Sequence, residues 1–143
     1  MAENILELAG RRSDGAREQI QSATFPRQAR SAPLARQFVT KVIGRHPAAD
    51  DAVLLASELV TNALVHARDA TAVTVTVAMT TALIRVDVHD DGRTGIPHWR
   101  EASAQAEDGR GFQILNALAQ RWGFTREQDR TCCWFEVTAA PAA

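Results

Sequence analysis

Lysine is nearly absent from this chain of 143 residues, because Lys41 is the only lysine among 16 basic side chains. The phosphate-binding P-loop requires a Gly-Lys-Ser/Thr triplet, whereas Lys41 stands between Thr40 and Val42, so the P-loop class of nucleotide-binding proteins is excluded. The formal net charge of −1 gives no bulk electrostatic attraction to charged polymers or surfaces. We therefore expect no direct contact with nucleic acid or with a membrane.

Long hydrophobic runs are missing as well. No apolar stretch approaches the roughly 18 residues that a membrane-spanning helix requires. The N-terminal segment includes Glu3 and Glu7 and lacks the apolar core of a signal peptide. A cytoplasmic location is the expectation that follows.

Cysteine is scarce and forms no metal-binding pattern. The two cysteines, Cys132 and Cys133, are adjacent, which is not the spacing of metal ligands. On a strand, neighbouring side chains point to opposite faces of the sheet. We expect two small, buried or half-buried side chains.

Hydrophobic periodicity predicts an α+β protein. Helical spacing indicates helices at residues 31–44, 49–67 and 111–122, with Ser31 as the cap of the first. Alternation with period two indicates strands, which are expected at residues 23–25, 73–77, 84–88, 123–126 and 131–138. The strands come in hairpin pairs, which favours a two-layer α/β sandwich with a mixed, mostly antiparallel sheet and helices packed on one face.

The length of the chain suits one ordinary domain. Residues 1–22 are polar and charged without sustained periodicity, which predicts a mobile N-terminal tail. We expect a single domain at residues 23–138, followed by a frayed C-terminal tail at residues 139–143.

The helix predicted at residues 49–67 carries polar side chains at helical spacing. Glu58, Asn62 and His66 fall on the side opposite an apolar stripe. Residues four apart on a helix are neighbours, so the Asn62 amide oxygen could complete the coordination of a Mg²⁺ held by phosphates. Glu58 could take a proton from an attacking hydroxyl. The alternative is the solvated side of an ordinary amphipathic helix.

The first of two glycine-bearing segments follows the strand predicted at residues 84–88. At a strand end, the Asp90 carboxylate can accept a hydrogen bond from an exocyclic amine such as that of adenine. Gly92 and Gly95 permit close approach of the backbone to a ligand. An ordinary Asp-Asp-Gly turn is the alternative.

The second glycine-bearing segment, Gly109, Arg110 and Gly111, opens the third predicted helix. Backbone N–H groups at a helix start bind anions, and Arg110 could add a charge contact. A flexible loop joined to a helix is the alternative. Neither glycine pair forms the dinucleotide-binding fingerprint G-x-G-x-x-G.

Taken together, the three motifs resemble the histidine-kinase-like ATPase superfamily over roughly residues 25–137. Three segments are similar to the stand-alone anti-sigma-factor serine/threonine kinases of Gram-positive bacteria. Their N box is similar to S-E-L-V-T-N-A-L-V-H-A at residues 57–67. Their second glycine box is similar to G-R-G-F-Q-I-L at residues 109–115, and their last strand to R-T-C-C-W-F-E-V at residues 130–137.

The resemblance implies the Bergerat fold, ATP or ADP with Mg²⁺ as cofactors, and a role for each matching residue. Glu58 would be the general base, Asn62 the Mg²⁺ ligand, and Asp90 the acid that binds adenine. Arg100 would reach the γ-phosphate as a second catalytic residue. The other nucleotide contacts that the resemblance implies are Gly92, Gly95, Gly109, Arg110, Gly111, Phe112 and Thr131.

Partner switching is the function that the resemblance implies. The kinase would phosphorylate a small anti-anti-sigma protein of the STAS type and bind a sigma factor; a homodimer is implied too. One departure is that Gly95 comes a residue later than in the usual Asp-x-Gly-x-Gly box. The alternative is therefore a non-catalytic module in which ATP or ADP only orders the loop at residues 96–108. The catalytic half of a two-component histidine kinase is disfavoured, because we expect no helix pair with a phosphoacceptor histidine.

Overall fold

The computed structural model describes residues 2–4, 18–67, 69–92, 110–127 and 130–139. These residues form six strands and three helices. In chain order they are β1 (Ala2–Asn4), β2 (Gln19–Pro26), α1 (Ser31–Ile43), α2 (Ala49–His66), β3 (Ala72–Met79), β4 (Leu83–Asp90), α3 (Arg110–Leu118), β5 (Arg121–Glu127) and β6 (Arg130–Thr138). Within these ranges no helix is long and apolar enough to cross a membrane.

The strands form one sheet in the order β1-β2-β3-β4-β6-β5, and every pairing between them is antiparallel. The central hairpin joins β3 to β4, with Val75 opposite Val88. Because β6 lies between β4 and β5, Thr131 near its start faces Asp90 at the end of β4. The helices pack on one face of the sheet, which confirms the predicted two-layer α/β sandwich.

The core lies between the helices and the inward side chains of the strands. On β3, Val73 and Val75 are fully buried, as β-branched side chains pack well on a pleated surface. Leu55 of α2 and Phe135 of β6 are equally buried on the two sides of this layer. Burying each such side chain contributes roughly 1.5–3 kcal/mol. This packing holds α2 against β4 and β6, where the candidate site is found.

The sheet extends further towards the N-terminus than the sequence predicts. β2 begins at Gln19 rather than at residue 23, and β1 pairs with it, so parts of the predicted mobile tail lie in the sheet. The start of β2 shows no alternation of apolar and polar residues, because apolar Ile20 lies on the same outer face as polar Ser22. The hydroxyl of Ser22 is 2.8 Å from that of Thr76. The division into tail, single domain and tail otherwise stays a prediction.

The third helix ends at Leu118, so the predicted continuation to residue 122 is wrong. The backbone N–H of Gln120 donates to the carbonyl of Glu136 at 2.7 Å, which brings the chain into the sheet. Trp122 therefore lies on β5, where its ring packs edge-on against Phe124 at 5.8 Å. Leu118 and Trp122 both pack against the core from two different elements, and their separation of four residues imitates helical spacing.

Ser31 is the first residue of α1 and not its cap, which corrects the prediction. Arg30 occupies the cap position and makes no capping hydrogen bond with its side chain. The hydroxyl of Ser31 instead donates to the carbonyl of Pro26 at 2.6 Å. This bond ties the start of α1 to the end of β2.

Candidate functional site

A cleft opens between the C-terminal half of α2 and the inward side chains of β4, β5 and β6. Its lining residues come from four elements and are Leu59, Asn62, Ala63, His66, Ala67, Val88, Asp90, Phe124, Thr131 and Cys133. Three of the predicted site residues, Asn62, Asp90 and Thr131, therefore meet here although they are far apart in sequence. They are the buried polar groups of the cleft, with exposures of 8%, 7% and 4%.

Asp90 and Gly92 form a turn at the mouth of β4. An oxygen of the Asp90 carboxylate accepts the backbone N–H of Gly92 at 2.8 Å, which is the geometry of an Asx turn. The hydroxyl of Thr131, across the strand pair, donates to the Gly92 carbonyl at 3.4 Å. The turn and the last strand thus hold each other at the rim of the cleft.

Gly92 lies close against the segment after α2. A Cβ placed on Gly92 would lie 2.6 Å from Oδ1 of Asp69 and 3.1 Å from the backbone nitrogen of Ala70. The Asp69 side chain can move, so the tight contact with the Ala70 backbone is the main reason that glycine is favoured at this position. The first glycine of the predicted box is therefore explained by packing within the fold.

Asn62 is buried in the wall of the cleft, and its Nδ2 has no hydrogen-bond partner among the described residues. Leaving a buried amide without a hydrogen-bond partner costs about 1–3 kcal/mol. Such groups are therefore rare unless a ligand supplies the missing hydrogen bond. Because an amide can be turned over by 180°, either its oxygen or its nitrogen could meet that ligand. The sequence places Asn62 opposite an apolar stripe of α2, whereas in the structure Asn62 is buried on the same side of the helix as Leu55 and Leu59.

Glu58 lies one turn before Asn62 on the same side of α2 and is half-exposed. It is not among the residues that line the cleft. Its role as general base stays a prediction. The helix places it beyond the wall that Asn62 forms, towards the N-terminal half of α2.

The other predicted contacts are in the two glycine segments and the intervening loop. Gly95, Arg100 and Gly109 lie outside the described residues. Arg110, Gly111 and Phe112 form the first turn of α3, where backbone N–H groups have no partner within the helix. That turn has the backbone arrangement that the anion-binding prediction requires.

Several lining residues were missed by the sequence reasoning. His66 is not one of these, because its helical spacing already groups it with Asn62 in the sequence, and both side chains line the cleft. Phe124 and Cys133 come from strands whose inward faces become evident only once the register of β5 and β6 is known. Burial raises the pKa of the Cys133 thiol above its ordinary value, so this side chain is a neutral, mainly apolar part of the wall.

Cys132, the neighbour of Cys133, points to the other face of the sheet, as predicted. Its Sγ donates to Oδ2 of Asp87 at 3.7 Å, on the side away from the helices. Burial, reinforced by the Asp87 charge, raises the pKa of Cys132 to about 12. Both thiols are therefore poor nucleophiles near neutral pH.

Comparison with known proteins shows the family to which the chain belongs. The profile of the histidine kinase-like ATPase domain family matches residues 25–137, and the chain belongs to that family. A search of curated proteins finds no match. Among solved structures, the chain is similar to the histidine kinase domain of the blue-light activated histidine kinase from Erythrobacter litoralis EL346, with 21% identity and a TM-score of 0.47. The similarity covers 80% of this chain and 62% of that chain, which is less than two thirds of the longer protein.

Membership in an ATPase domain family implies binding of ATP or ADP, and the residues of the cleft fit a nucleotide. The amide of Asn62, whose Nδ2 has no partner among the described residues, and the buried carboxylate of Asp90 converge on a space with apolar walls. The described residues contain no cluster of three or more His, Cys, Asp or Glu side chains that could hold a metal. Proteins commonly bind Mg²⁺ through one or two side chains together with phosphate oxygens and water, and the amide of Asn62 is a side chain of the kind that can take part.

Proposed function

We propose that this chain is an ATP-dependent protein serine/threonine kinase of the anti-sigma type. The observation that carries the proposal is the convergence of Asn62, Asp90 and Thr131 on one cleft. The resemblance to those kinases singled out the same three residues, and they lie on three separate elements. An N-box asparagine alone would fit any ATPase of the family, so the similarity of three segments to the anti-sigma kinases supports the narrower class.

In the proposed site, Asp90 accepts a hydrogen bond from the exocyclic amine of adenine, and Thr131 lies beside the ring. The surrounding walls are apolar, since Leu59 and Val88 face the cleft from opposite sides. A flat, weakly hydrated base gains from such walls, while a single buried acceptor gives it orientation. The hydroxyl of Thr131 bonds to the Gly92 carbonyl, so the turn that carries the Asp90 acceptor is held in place before the ligand arrives.

Phosphoryl transfer would take place at the other end of the site, near α2 and the start of α3. Asn62 is the residue that would hold Mg²⁺, which supplies charge neutralisation on the phosphate oxygens. Glu58 takes the proton from the hydroxyl of the substrate serine. As it does so, the serine oxygen bonds to the γ-phosphorus, and the bond between that phosphorus and the leaving ADP breaks. Arg100 is proposed to contact the γ-phosphate, and Arg110, Gly111 and the helix start to contact the remaining phosphates.

The proposed partners are a STAS-type anti-anti-sigma protein, as substrate, and a sigma factor, as binding partner. Phosphorylating the first would release the kinase to hold the second, so that a local charge change has a regulatory readout. We propose that the protein works in the cytoplasm without direct contact to nucleic acid or membrane. A homodimer is the proposed assembly.

A non-catalytic nucleotide-binding module is the second candidate. The observation that favours it is the position of Glu58, which does not line the described cleft although Asn62 does. In such a module, ATP or ADP would order the loop at residues 96–108 for partner binding, and no phosphate would be transferred. The two candidates share the nucleotide cleft and differ only in what Glu58 does.

Radiolabel transfer distinguishes the two candidates. Purified wild type and Glu58→Ala would be incubated with γ-labelled Mg·ATP and each STAS-domain protein of the source genome. We expect label on a serine of one STAS protein with wild type, and none with Glu58→Ala, which should still bind Mg·ATP in a calorimetric titration. If wild type binds Mg·ATP and labels no STAS protein, the non-catalytic module is supported. If Glu58→Ala transfers as well as wild type, the role of Glu58 is wrong.

A further inference from the structure

Asp91, the middle residue of the Asp-Asp-Gly turn, does not line the cleft but bonds to the segment that follows α2. Its Oδ1 accepts the backbone N–H groups of Thr71 at 2.7 Å and of Ala72 at 3.2 Å. Its Oδ2 accepts the hydroxyl of Thr71 at 2.5 Å. One carboxylate thus makes three hydrogen bonds to two consecutive residues, although the side chain is at the surface.

The same segment is held from its other side by Arg27, at the end of β2. The guanidinium of Arg27 donates to the carbonyl of Leu64 at 2.9 Å and to that of Ala70 at 3.0 Å. Its backbone N–H donates to the Thr71 carbonyl at 3.0 Å. Arg27 therefore fixes the end of α2 and the residues after it to the body of the sheet.

Of the two residues that hold this segment, Asp91 is the one next to Asp90 and the cleft. Gly92, one residue further, lies against Asp69 and Ala70 of the same segment, and its N–H is bonded to Asp90. The Asp90–Gly92 turn is thus tied, through the bonds of Asp91, to the point where the chain after α2 enters β3. A change in those bonds would shift the turn that carries Asp90.

We propose that Asp91 is a positioning residue for nucleotide binding: it anchors the Asp90–Gly92 turn to the start of β3 and so fixes the position of Asp90 at the rim of the cleft. This extends the assigned ATP or ADP site and rests on nucleotide binding there, but it does not depend on kinase activity. Asp91 acts on the adenine end through Asp90 and makes no contact with the ligand itself. Its neighbour Asp90 is the residue that would touch the base.

The electrostatics of Asp91 agree with an anchoring role. Burial alone would raise its pKa, but the hydrogen bonds from the side chain and backbone of Thr71 and from Ala72 outweigh it and hold the pKa below the ordinary value. The carboxylate is therefore ionised at neutral pH. Charge-assisted hydrogen bonds of this kind are stronger than neutral ones, so the anchor is firm where the nucleotide would bind.

The test compares Asp91→Ala with a matched control, Asp87→Ala. Asp87 lies on β4, four residues before Asp91, and its carboxylate is also bonded, to Arg85 and to Cys132, but on the face away from the cleft. Calorimetric titration would give the affinity of each variant for Mg·ATP, Mg·ADP and adenosine. We expect the affinity of Asp91→Ala to fall about tenfold, and by a similar factor for all three ligands, because the adenine end is displaced. Asp87→Ala should bind like wild type.

A double-mutant cycle with Thr71 separates positioning from general loss of stability. Thr71→Val removes the hydroxyl and keeps the backbone N–H bonds, so we expect its nucleotide affinity to fall roughly threefold. In the double variant with Asp91→Ala, the affinity should fall no further than in Asp91→Ala alone. Thr71→Ser should restore wild-type affinity. If Asp91→Ala proves unfolded, the Thr71 pair decides: equal affinities of Thr71→Val and wild type overturn the inference.

Failure of the inference and failure of the nucleotide site give different results. Wild-type affinity of folded Asp91→Ala for all three ligands would overturn the positioning role and leave the site intact. Losses that are simply additive in the Thr71 cycle would overturn it too. A folded wild-type chain that binds none of the three ligands would overturn the nucleotide site itself.

Discussion

Asp90 and Thr131 lie directly opposite each other on β4 and β6, and both side chains are buried at the rim of the same cleft. Forty residues of sequence separate them, and the antiparallel pairing of the two strands brings them together. The bond from Thr131 to the Gly92 carbonyl links this pair to the glycine turn. The proposed adenine end of the site is therefore part of the sheet, which holds its residues in place.

The Asp90 carboxylate predicts selectivity for adenine over hypoxanthine. Hypoxanthine carries a carbonyl where adenine has its amine, so a buried carboxylate would face another acceptor and lose its hydrogen bond. We expect Mg·ITP to bind roughly 10–100-fold more weakly than Mg·ATP in a calorimetric titration. Asp90→Asn should narrow the difference, because an amide can donate to the carbonyl. Equal affinity of wild type for the two nucleotides would exclude this role of Asp90.

Gly92→Ala should destabilise the protein, because the added Cβ would be 2.6 Å from Oδ1 of Asp69 and 3.1 Å from the nitrogen of Ala70. The exposed Asp69 side chain can move, whereas the backbone of Ala70 cannot move freely. We expect a loss of about 1–3 kcal/mol in urea denaturation. Adding Asp69→Ala, measured beside that single variant, should recover only part of the loss. Full recovery would show that Asp69 alone requires the glycine.

Asn62→Leu should separate stability from binding. It removes a buried Nδ2 that has no partner among the described residues, so we expect the ligand-free protein to gain about 1 kcal/mol in denaturant unfolding. The increase in Tm produced by Mg·ATP should disappear. Ser57→Ala is the matched control, since its Oγ is also buried without a partner in the part of the chain that the structure describes, but does not line the cleft. It should keep the Mg·ATP shift. Retention of that shift in Asn62→Leu would contradict the assignment.

Asp91 predicts a pH-dependent contribution to stability. Its pKa in the folded protein lies below the ordinary value of 3.8, so the unfolded chain binds its proton more readily than the folded one. The contribution is then present above about pH 4 and is lost as the pH falls through the lower, folded pKa. Urea denaturation of wild type and Asp91→Asn should give a difference at pH 7 that shrinks at pH 3. A difference that is the same at both values would contradict the ionic anchor.

Much of the fold could be predicted because its periodic segments agree with their packing. The valines of β3 and β4 alternate in sequence and are buried alternately in the structure. Asp90 and Gly92 could be located at a strand end for the same reason. Trp122 could not, since two different elements bury Leu118 and Trp122 at a helical separation.

The walls of the site were harder to predict than its polar groups. Phe124 and Cys133 line the cleft because of the register between β5 and β6, which local patterns do not reveal. Asn62 is buried together with Leu55 and Leu59, which lie on its side of α2, so the buried face of the helix is rotated from the apolar stripe that the sequence predicts. The anchoring bonds of Asp91 join residues twenty positions apart and leave no trace in sequence periodicity.

Calorimetric titration of the folded wild-type chain with Mg·ATP is the measurement that tests the nucleotide site most directly. We predict saturable binding of one nucleotide per chain, weakened about tenfold or more by Asp90→Asn and retained in Glu58→Ala. Saturable binding with that pattern would place the nucleotide between α2 and β4. No saturable heat with wild type, and no change of its Tm in the presence of Mg·ATP, would contradict the account.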